Sequence, residues 1–76
     1  FPQYRIALFA EDARELGIEQ PDDALVLNIL TLIEGPKQQL FANQVGPVVI
    51  NRHSGVGKQV IIQNYQEYSA RHPLLT

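Results

Sequence analysis

The amino-acid sequence predicts a mainly β fold, an antiparallel, barrel-like sheet accompanied by one short helix. Apolar segments of strand length alternate with short turns rich in Gly, Pro, Asp and Asn, and a single stretch has the spacing of a helix. Strands at short, even intervals favour hairpins and an antiparallel sheet over a βαβ fold. With 76 residues, the chain has room for at most one small domain.

The first two predicted elements are a strand and the helix. Residues 3–9, QYRIALF, alternate apolar and polar side chains, which predicts a short strand. At about residues 10–17 apolar side chains recur every three positions, acids occupy the first turn, and Gly17 suits a left-handed cap. A helix of two turns is marginal alone, so we expect it to pack on the sheet.

Three further strands are expected in the middle of the chain. After a turn at residues 19–23, the apolar run 24–33, ALVLNILTLI, has the length of a strand covered on both faces. Residues 39–44 predict the next strand and residues 45–53 another, with Pro47 tolerated near its start or at a sheet edge.

The stretch RHSGVGKQVII, residues 52–62, resembles a phosphate-binding loop at first sight. Such a loop needs a first Gly, then Gly-Lys, then Ser or Thr, and a helix that begins there. Arg52 stands at the first Gly position and Gln59 at the hydroxyl position, and the β-branched residues 60–62 disfavour a helix start. The pattern therefore excludes a nucleotide site.

The same residues are explained by a hairpin at about residues 45–64. Gly55 and Gly57 are expected where φ turns positive, and Gly46 and Pro47 are expected as turn-makers too.

The last segment, residues 65–76, is predicted to be an extended tail, with Tyr68 and Leu74 as its anchors.

Charge is distributed unevenly along the chain. Residues 1–36 hold seven acids against two bases, and residues 37–76 hold four bases against one acid. The net charge of −2 disfavours a module that binds nucleic-acid phosphates. A small β-barrel nucleic-acid-binding module nevertheless remains the alternative, since four aromatic side chains could stack bases: Tyr4, Phe41, Tyr65 and Tyr68.

Few residues indicate catalysis or metal binding. His53 and His72 are far apart in the sequence and the chain has no Cys, which disfavours zinc. No motif marks Ser54 or Ser69 as part of a catalytic set, although triads assemble in space. We expect no enzyme, no cofactor and no membrane span.

Asn51 ends an apolar strand just before the hairpin turn, where its side chain could bond a turn amide.

Several motifs together resemble the FliW family of flagellar assembly factors. They begin with Phe1-Pro2-x-Tyr4, Leu16-Gly17-Ile18-Glu19 and Pro21-x-Asp23-Ala24-Leu25-Val26-Leu27-Asn28-Ile29-Leu30-Thr31. They continue with Gly46-Pro47-Val48-Val49-Ile50-Asn51, Gly57-Lys58-Gln59-Val60 and Glu67-Tyr68-Ser69-x-Arg71-His72-Pro73-Leu74. The resemblance is to the C-terminal half of the family, so residues 1–76 are predicted to be a single partial domain.

The resemblance implies a small cytoplasmic, non-enzymatic binding protein. It implies that the chain binds flagellin and also CsrA, an RNA-binding translational regulator whose repression it antagonises, without binding nucleic acid or membrane itself. The missing N-terminal half or a second copy of the chain would then supply partner strands, and a cropped, cleaved or swapped chain all remain open. For partner contact we select seven residues: Glu11, Asp12, Glu15, Asn51, Lys58, Arg71 and His72.

Overall fold

The computed structural model describes residues 4–75, with Leu75 described by its backbone alone. The family motif at Phe1 and Pro2, the first residue of the predicted strand at 3–9, and the last residue of the predicted tail lie outside the described residues. The elements are α1 (Ala10–Leu16), β1 (Ala24–Ile33), β2 (Gln39–Asn51), β3 (Gly57–Gln59) and β4 (His72–Leu75), with short 3₁₀ turns at Pro21–Asp23 and Tyr65–Glu67.

All four strands form one antiparallel sheet around β2. β1 pairs with one side of β2 over most of its length, and β3 and β4 pair with β2 near its two ends. The prediction of a mainly β, antiparallel fold with one short helix is confirmed. In the described residues this sheet stays open, so the term barrel-like was too strong.

The helix ends where its cap residue indicates. Gly17 has φ 70°, and backbone N–H groups at this cap donate to the carbonyls of Ala13 and Arg14. The left-handed conformation suits glycine because it has no Cβ. Leu16, just before the cap, is buried with Val49 and Val60, and this cluster is the core between helix and sheet.

The predicted strand at residues 3–9 was wrong for its described part. Residues 4–9 are extended but belong to no strand: within the described residues, and apart from the Phe9 carbonyl bonded by α1, they have one backbone bond, from the Gln63 N–H to the Ala7 carbonyl at 2.7 Å, and their other bonds to this part of the chain come from side chains. The Asn64 amide donates to the Arg5 carbonyl and accepts from the Ala7 N–H, both at 2.8 Å. The Tyr68 hydroxyl oxygen accepts from the Arg5 N–H at 2.8 Å.

β1 has the predicted bounds but not the predicted environment. Within the described residues it pairs with β2 alone, so it is an edge strand rather than one covered on both faces. Ala24 and Val26 are half-buried, whereas Leu25, Leu27 and Ile29 between and after them are exposed. The alternation follows the pleat of a strand.

β2 is one strand where two had been predicted. Its residues 44–47 have no partner in β1, and they stand against Asn28 where the β1–β2 register shifts. The register shift accommodates Pro47 in the strand, although Pro47 has no N–H to donate and is fully buried. The Asn43 carboxamide oxygen stabilises it by accepting the N–H groups of Val45 at 3.0 Å and Gly46 at 2.9 Å. Gly46 and Pro47 therefore lie inside a strand, and their assignment as turn-makers was wrong.

The hairpin after β2 contains one glycine with positive φ, not two. Gly55 has φ 77°, whereas Gly57 lies outside the left-handed region. Gly57 is required for space, since a Cβ there would lie 2.6 Å from Ile50 Cγ1 and 2.9 Å from the Val49 carbonyl oxygen. A strand, β3, contains Lys58, where a phosphate loop would require a helix start.

The final segment is more ordered than an extended tail. Its β4 strand pairs with β2, and the Tyr68 ring meets the Tyr4 ring edge-on at 4.9 Å. Leu74 is 46% exposed, so its assignment as an apolar anchor was wrong.

Candidate functional site

Three of the selected partner residues meet in one place. The Lys58 ammonium lies 2.8 Å from Asp12 Oδ1 and 2.7 Å from Glu15 Oε2. Asp12 and Glu15 share the helix surface that faces β3, where Lys58 is paired with Val49 in the strand register. We call Asp12, Glu15 and Lys58 the helix–hairpin cluster.

In this cluster the positive charge of Lys58 is paired with carboxylates of the same chain. Its hydrogen bonds to Asp12 and then Glu15 raise the pKa of Lys58 to about 12, because nearby carboxylates favour the charged form. The ammonium therefore neutralises part of the acidic helix face. Glu11, exposed on the same helix, has no ion pair with any of the described residues.

Asn51 is an internal support of the fold. Its side-chain amide donates to the Leu16 carbonyl at 2.9 Å and the Gly17 carbonyl at 3.2 Å, while its oxygen accepts from the N–H groups of His53 at 2.9 Å and Ser54 at 3.2 Å. The bond to turn amides was expected from the sequence. With 7% exposure and these four bonds, Asn51 joins the end of α1 to the hairpin turn, and its selection for partner contact stays a prediction.

A second side-chain contact, between Asp23 and His53, was missed in the sequence. The His53 Nε2 atom lies 3.0 Å from Asp23 Oδ1, and Asp23 Oδ2 accepts from the N–H groups of Glu19 and Gln20. The bond from the Glu19 N–H, followed by the bond from His53, lowers the pKa of Asp23. The Asp-rich turn predicted the local bonds, but no sequence signal joins positions 30 residues apart.

Arg71 and His72 lie far from the helix–hairpin cluster. The Arg71 guanidinium carbon lies 4.5 Å from the centre of the Phe41 ring, and His72 is paired with Ala42 near the start of β2. Lys58 is paired with Val49, seven positions further along β2, which corresponds to roughly 20 Å along a strand. The selected residues therefore occupy two separate regions.

The aromatic side chains do not form a common platform for nucleic-acid bases. Tyr4 and Tyr68 contact each other, and the Tyr4 hydroxyl donates to the Gln44 carbonyl at 2.5 Å. Burial raises the pKa of Tyr4. Arg71 covers one face of Phe41, and Tyr65 is exposed.

The structure was also searched for metal-binding groups and for helices that could span a membrane. In the described part of the chain, no three or more His, Cys, Asp or Glu side chains form a group that could hold a metal ion. Among the same residues, no helix has the length and apolar character needed to cross a membrane.

Comparison with known proteins identifies relatives over nearly the whole chain. Residues 1–74 match the family model described as FliW protein. The chain is 39% identical over 74 residues to the flagellar assembly factor FliW of Moorella thermoacetica, covering 97% of this chain and 46% of that protein. It is 40% identical over 74 residues to the protein of the same name from Anoxybacillus flavithermus, covering 97% of this chain and 50% of the relative.

A solved structure agrees with these matches. The crystal structure of the flagellar assembly factor FliW superposes with a TM-score of 0.84 at 36% identity, covering 100% of this chain and 52% of that one. The chain thus spans about half the length of the curated relatives it matches. On the family match, the sequence identities and the shared fold, this chain belongs to the FliW family.

Proposed function

We propose that this chain is part of a cytoplasmic, non-enzymatic flagellar assembly regulator, which binds flagellin and antagonises CsrA. The observation that carries the proposal is the superposition on a flagellar assembly factor over the full length of this chain. Flagellin and CsrA are proposed as the partners because the sequence motifs, from Leu16-Gly17 to the Arg71-His72-Pro73 ending, resemble those of the FliW family.

The structure supports a rigid docking platform. Asn51 bonds the end of α1 to the hairpin, and Lys58 bonds the surface of α1 that faces β3 to that strand. A helix held at two points presents its exposed side chains in a fixed geometry, which reduces the entropy lost on binding.

The negative charge of the platform is the proposed means by which it opposes RNA binding by CsrA. Negative charge brought onto an RNA-binding protein repels RNA phosphates. Lys58 offsets one of the two negative charges of Asp12 and Glu15, so the effect rests mainly on acids that have no ion pair within residues 4–75. These acids in the first half of the chain are Glu11, Glu19, Asp22 and Glu34.

Calorimetric titration with CsrA tests this proposal. We expect a complex whose affinity falls as salt is raised, because screening weakens contacts between exposed charges. Neutralising Glu11, Glu19, Asp22 and Glu34 to the corresponding amides should weaken CsrA binding, while the single control change Glu67→Gln in the second half should leave it unchanged. Equal affinity of both variants and the original chain would contradict the charge mechanism.

Filter binding at low salt tests the nucleic-acid alternative. Because the predicted stacking residues mostly contact their own chain, we expect no tight RNA binding. Tight binding under these conditions would contradict the docking function.

A further inference from the structure

Residues 4–9 run beside the sheet without being one of its strands. Two side chains from much later in the chain bond their backbone. The Asn64 amide donates to the Arg5 carbonyl and accepts from the Ala7 N–H. The Tyr68 hydroxyl accepts from the Arg5 N–H at 2.8 Å and donates to the Arg5 carbonyl at 3.2 Å. We call residues 4–9 the strap, and Asn64 and Tyr68 its clamp.

The strap has two further attachments. The Gln63 N–H donates to the Ala7 carbonyl at 2.7 Å, which is the one backbone bond that the described residues give the strap outside α1. The Tyr4 hydroxyl donates to the Gln44 carbonyl at 2.5 Å and accepts from the Asn28 amide at 3.2 Å. Polar side chains therefore fasten the strap, where a strand would be held by a ladder of backbone bonds.

The strap is less buried than the residues that it covers. Its Ile6 and Leu8 side chains are half-buried and pack against the core, where Val49 and Val60 are 0% and 4% exposed. The clamp bonds to Arg5 are exposed to solvent. A segment with few buried apolar contacts and exposed hydrogen bonds opens at a lower free energy than the core of a domain.

We propose that the strap opens as a unit while the sheet stays folded, and that the clamp determines how often it opens. Asn64 bonds Arg5 and Ala7 with one carboxamide, and Tyr68 bonds both backbone groups of Arg5 with one hydroxyl. Withdrawal of either side chain therefore releases two backbone groups of the strap together. This inference goes beyond the proposed function, because it concerns a motion of the chain alone and requires no partner.

Opening of the strap acts on the helix that follows it. α1 begins at Ala10, directly after the strap, and the Phe9 carbonyl accepts from the Ala13 N–H at 3.1 Å. An open strap loosens this first bond of α1, while Asn51 and Lys58 keep the rest of the helix on the sheet. The clamp thus controls the start of α1, although its residues lie 57 to 63 positions from those they bond.

Native-state hydrogen exchange of the 76-residue chain at low concentrations of denaturant tests the proposal. The amides of Arg5 and Ala7 report on the strap, since they donate to the clamp. The amides of Val60 and Ile62, which donate to carbonyls of β2, report on the sheet. We expect protection factors at least about tenfold lower for the strap amides, with a weaker dependence on denaturant, because a local opening exposes less surface than global unfolding.

A matched pair of variants tests the role of the clamp. Tyr68→Phe removes the clamp hydroxyl and keeps the aromatic ring. Ala7 retains its own bond to Asn64 in this variant, so faster exchange at Ala7 reports opening of the whole strap. We expect an acceleration of roughly two- to tenfold at Ala7, as for the loss of one net hydrogen bond, and none at Val60. Tyr65→Phe, an exposed position at the start of the same turn, should leave exchange at Ala7 unchanged.

Three outcomes overturn the proposal. One is equal denaturant dependence of the strap and sheet amides in the original chain, a result that decides the question even if a variant fails to fold in a melting experiment. Another is unchanged exchange at Ala7 in folded Tyr68→Phe, and the third is equal acceleration by Tyr68→Phe and Tyr65→Phe. The measurement includes neither flagellin nor CsrA, so opening of the strap and the proposed docking function can fail independently.

Discussion

Replacing Gly57 by alanine tests whether the hairpin depends on space rather than on backbone conformation. The new Cβ would lie 2.6 Å from Ile50 Cγ1 and 2.9 Å from the Val49 carbonyl oxygen, well inside the usual contact distance of about 3.5–4.0 Å between carbon atoms. Val49 is fully buried in the core, so its backbone has little freedom to retreat. We expect Gly57→Ala to lower the free energy of unfolding by about 1–3 kcal/mol, the usual range for overpacking.

Two other glycines separate this effect from simple loss of glycine. Gly55 has positive φ and open space around it, so Gly55→Ala should be destabilising through backbone strain alone, by roughly 1–2 kcal/mol. Gly35 does not have positive φ, and a Cβ added there would meet no heavy atom within 4 Å, so Gly35→Ala should cause no loss. Thermal melting followed by circular dichroism measures the stability of all three variants. In a domain of this size each kcal/mol of destabilisation lowers the melting temperature by roughly 4–8 °C. Equal melting temperatures for Gly57→Ala and Gly35→Ala would refute the steric argument.

Three further predictions concern the contacts around the helix and the turns. Asn51→Ala should reduce the free energy of unfolding by about 2–3 kcal/mol in denaturant titrations, because it leaves buried backbone groups without partners, whereas the exposed Gln66→Ala should have no effect. For Lys58, the pKa raised to about 12 from 10.5 means a stabilising contribution that is present below pH 10.5 and lost as pH rises through about 12. Lys58→Met should therefore remove this alkaline loss and weaken the salt sensitivity of unfolding, and retention of both at their original size would contradict the assignment. For Asp23, the lowered pKa means a contribution present above its ordinary value of 3.8 and lost as pH falls through the lowered value. Asp23→Ala should show a weaker acid dependence of stability than Asp22→Ala, and identical acid titrations of the two variants would argue against the bonds at Asp23.

Local sequence patterns predicted the elements whose determinants are local. The end of α1 follows from Gly17, and the bounds of β1 follow from an apolar run between two turns. The strand at 3–9 was wrong because the Asn64 and Tyr68 side chains bond the backbone there, and both lie far away in the sequence. β2 was divided in two because Pro47 usually ends a strand, while the register shift that accommodates it depends on pairing with β1.

The same distinction applies to the candidate site. Asn51 was correctly expected to bond turn amides, since His53 and Ser54 are its near neighbours. Its bonds to the end of α1 and the contacts of Lys58 with the helix acids join segments separated by more than 30 residues, and a single sequence carries no signal for such pairs. Residue type alone suggested partner contact for Asn51 and Lys58, and it gave no indication that both also hold the helix to the hairpin.

The most direct test of the docking function is a competition measurement. CsrA labelled with a fluorophore is bound by the 76-residue chain, and unlabelled flagellin is then added while fluorescence anisotropy is followed. The proposed function predicts that anisotropy rises when the chain binds CsrA and falls back to the value of free CsrA as flagellin displaces it. A chain that binds neither protein, or one that binds both at once without displacement, would contradict it.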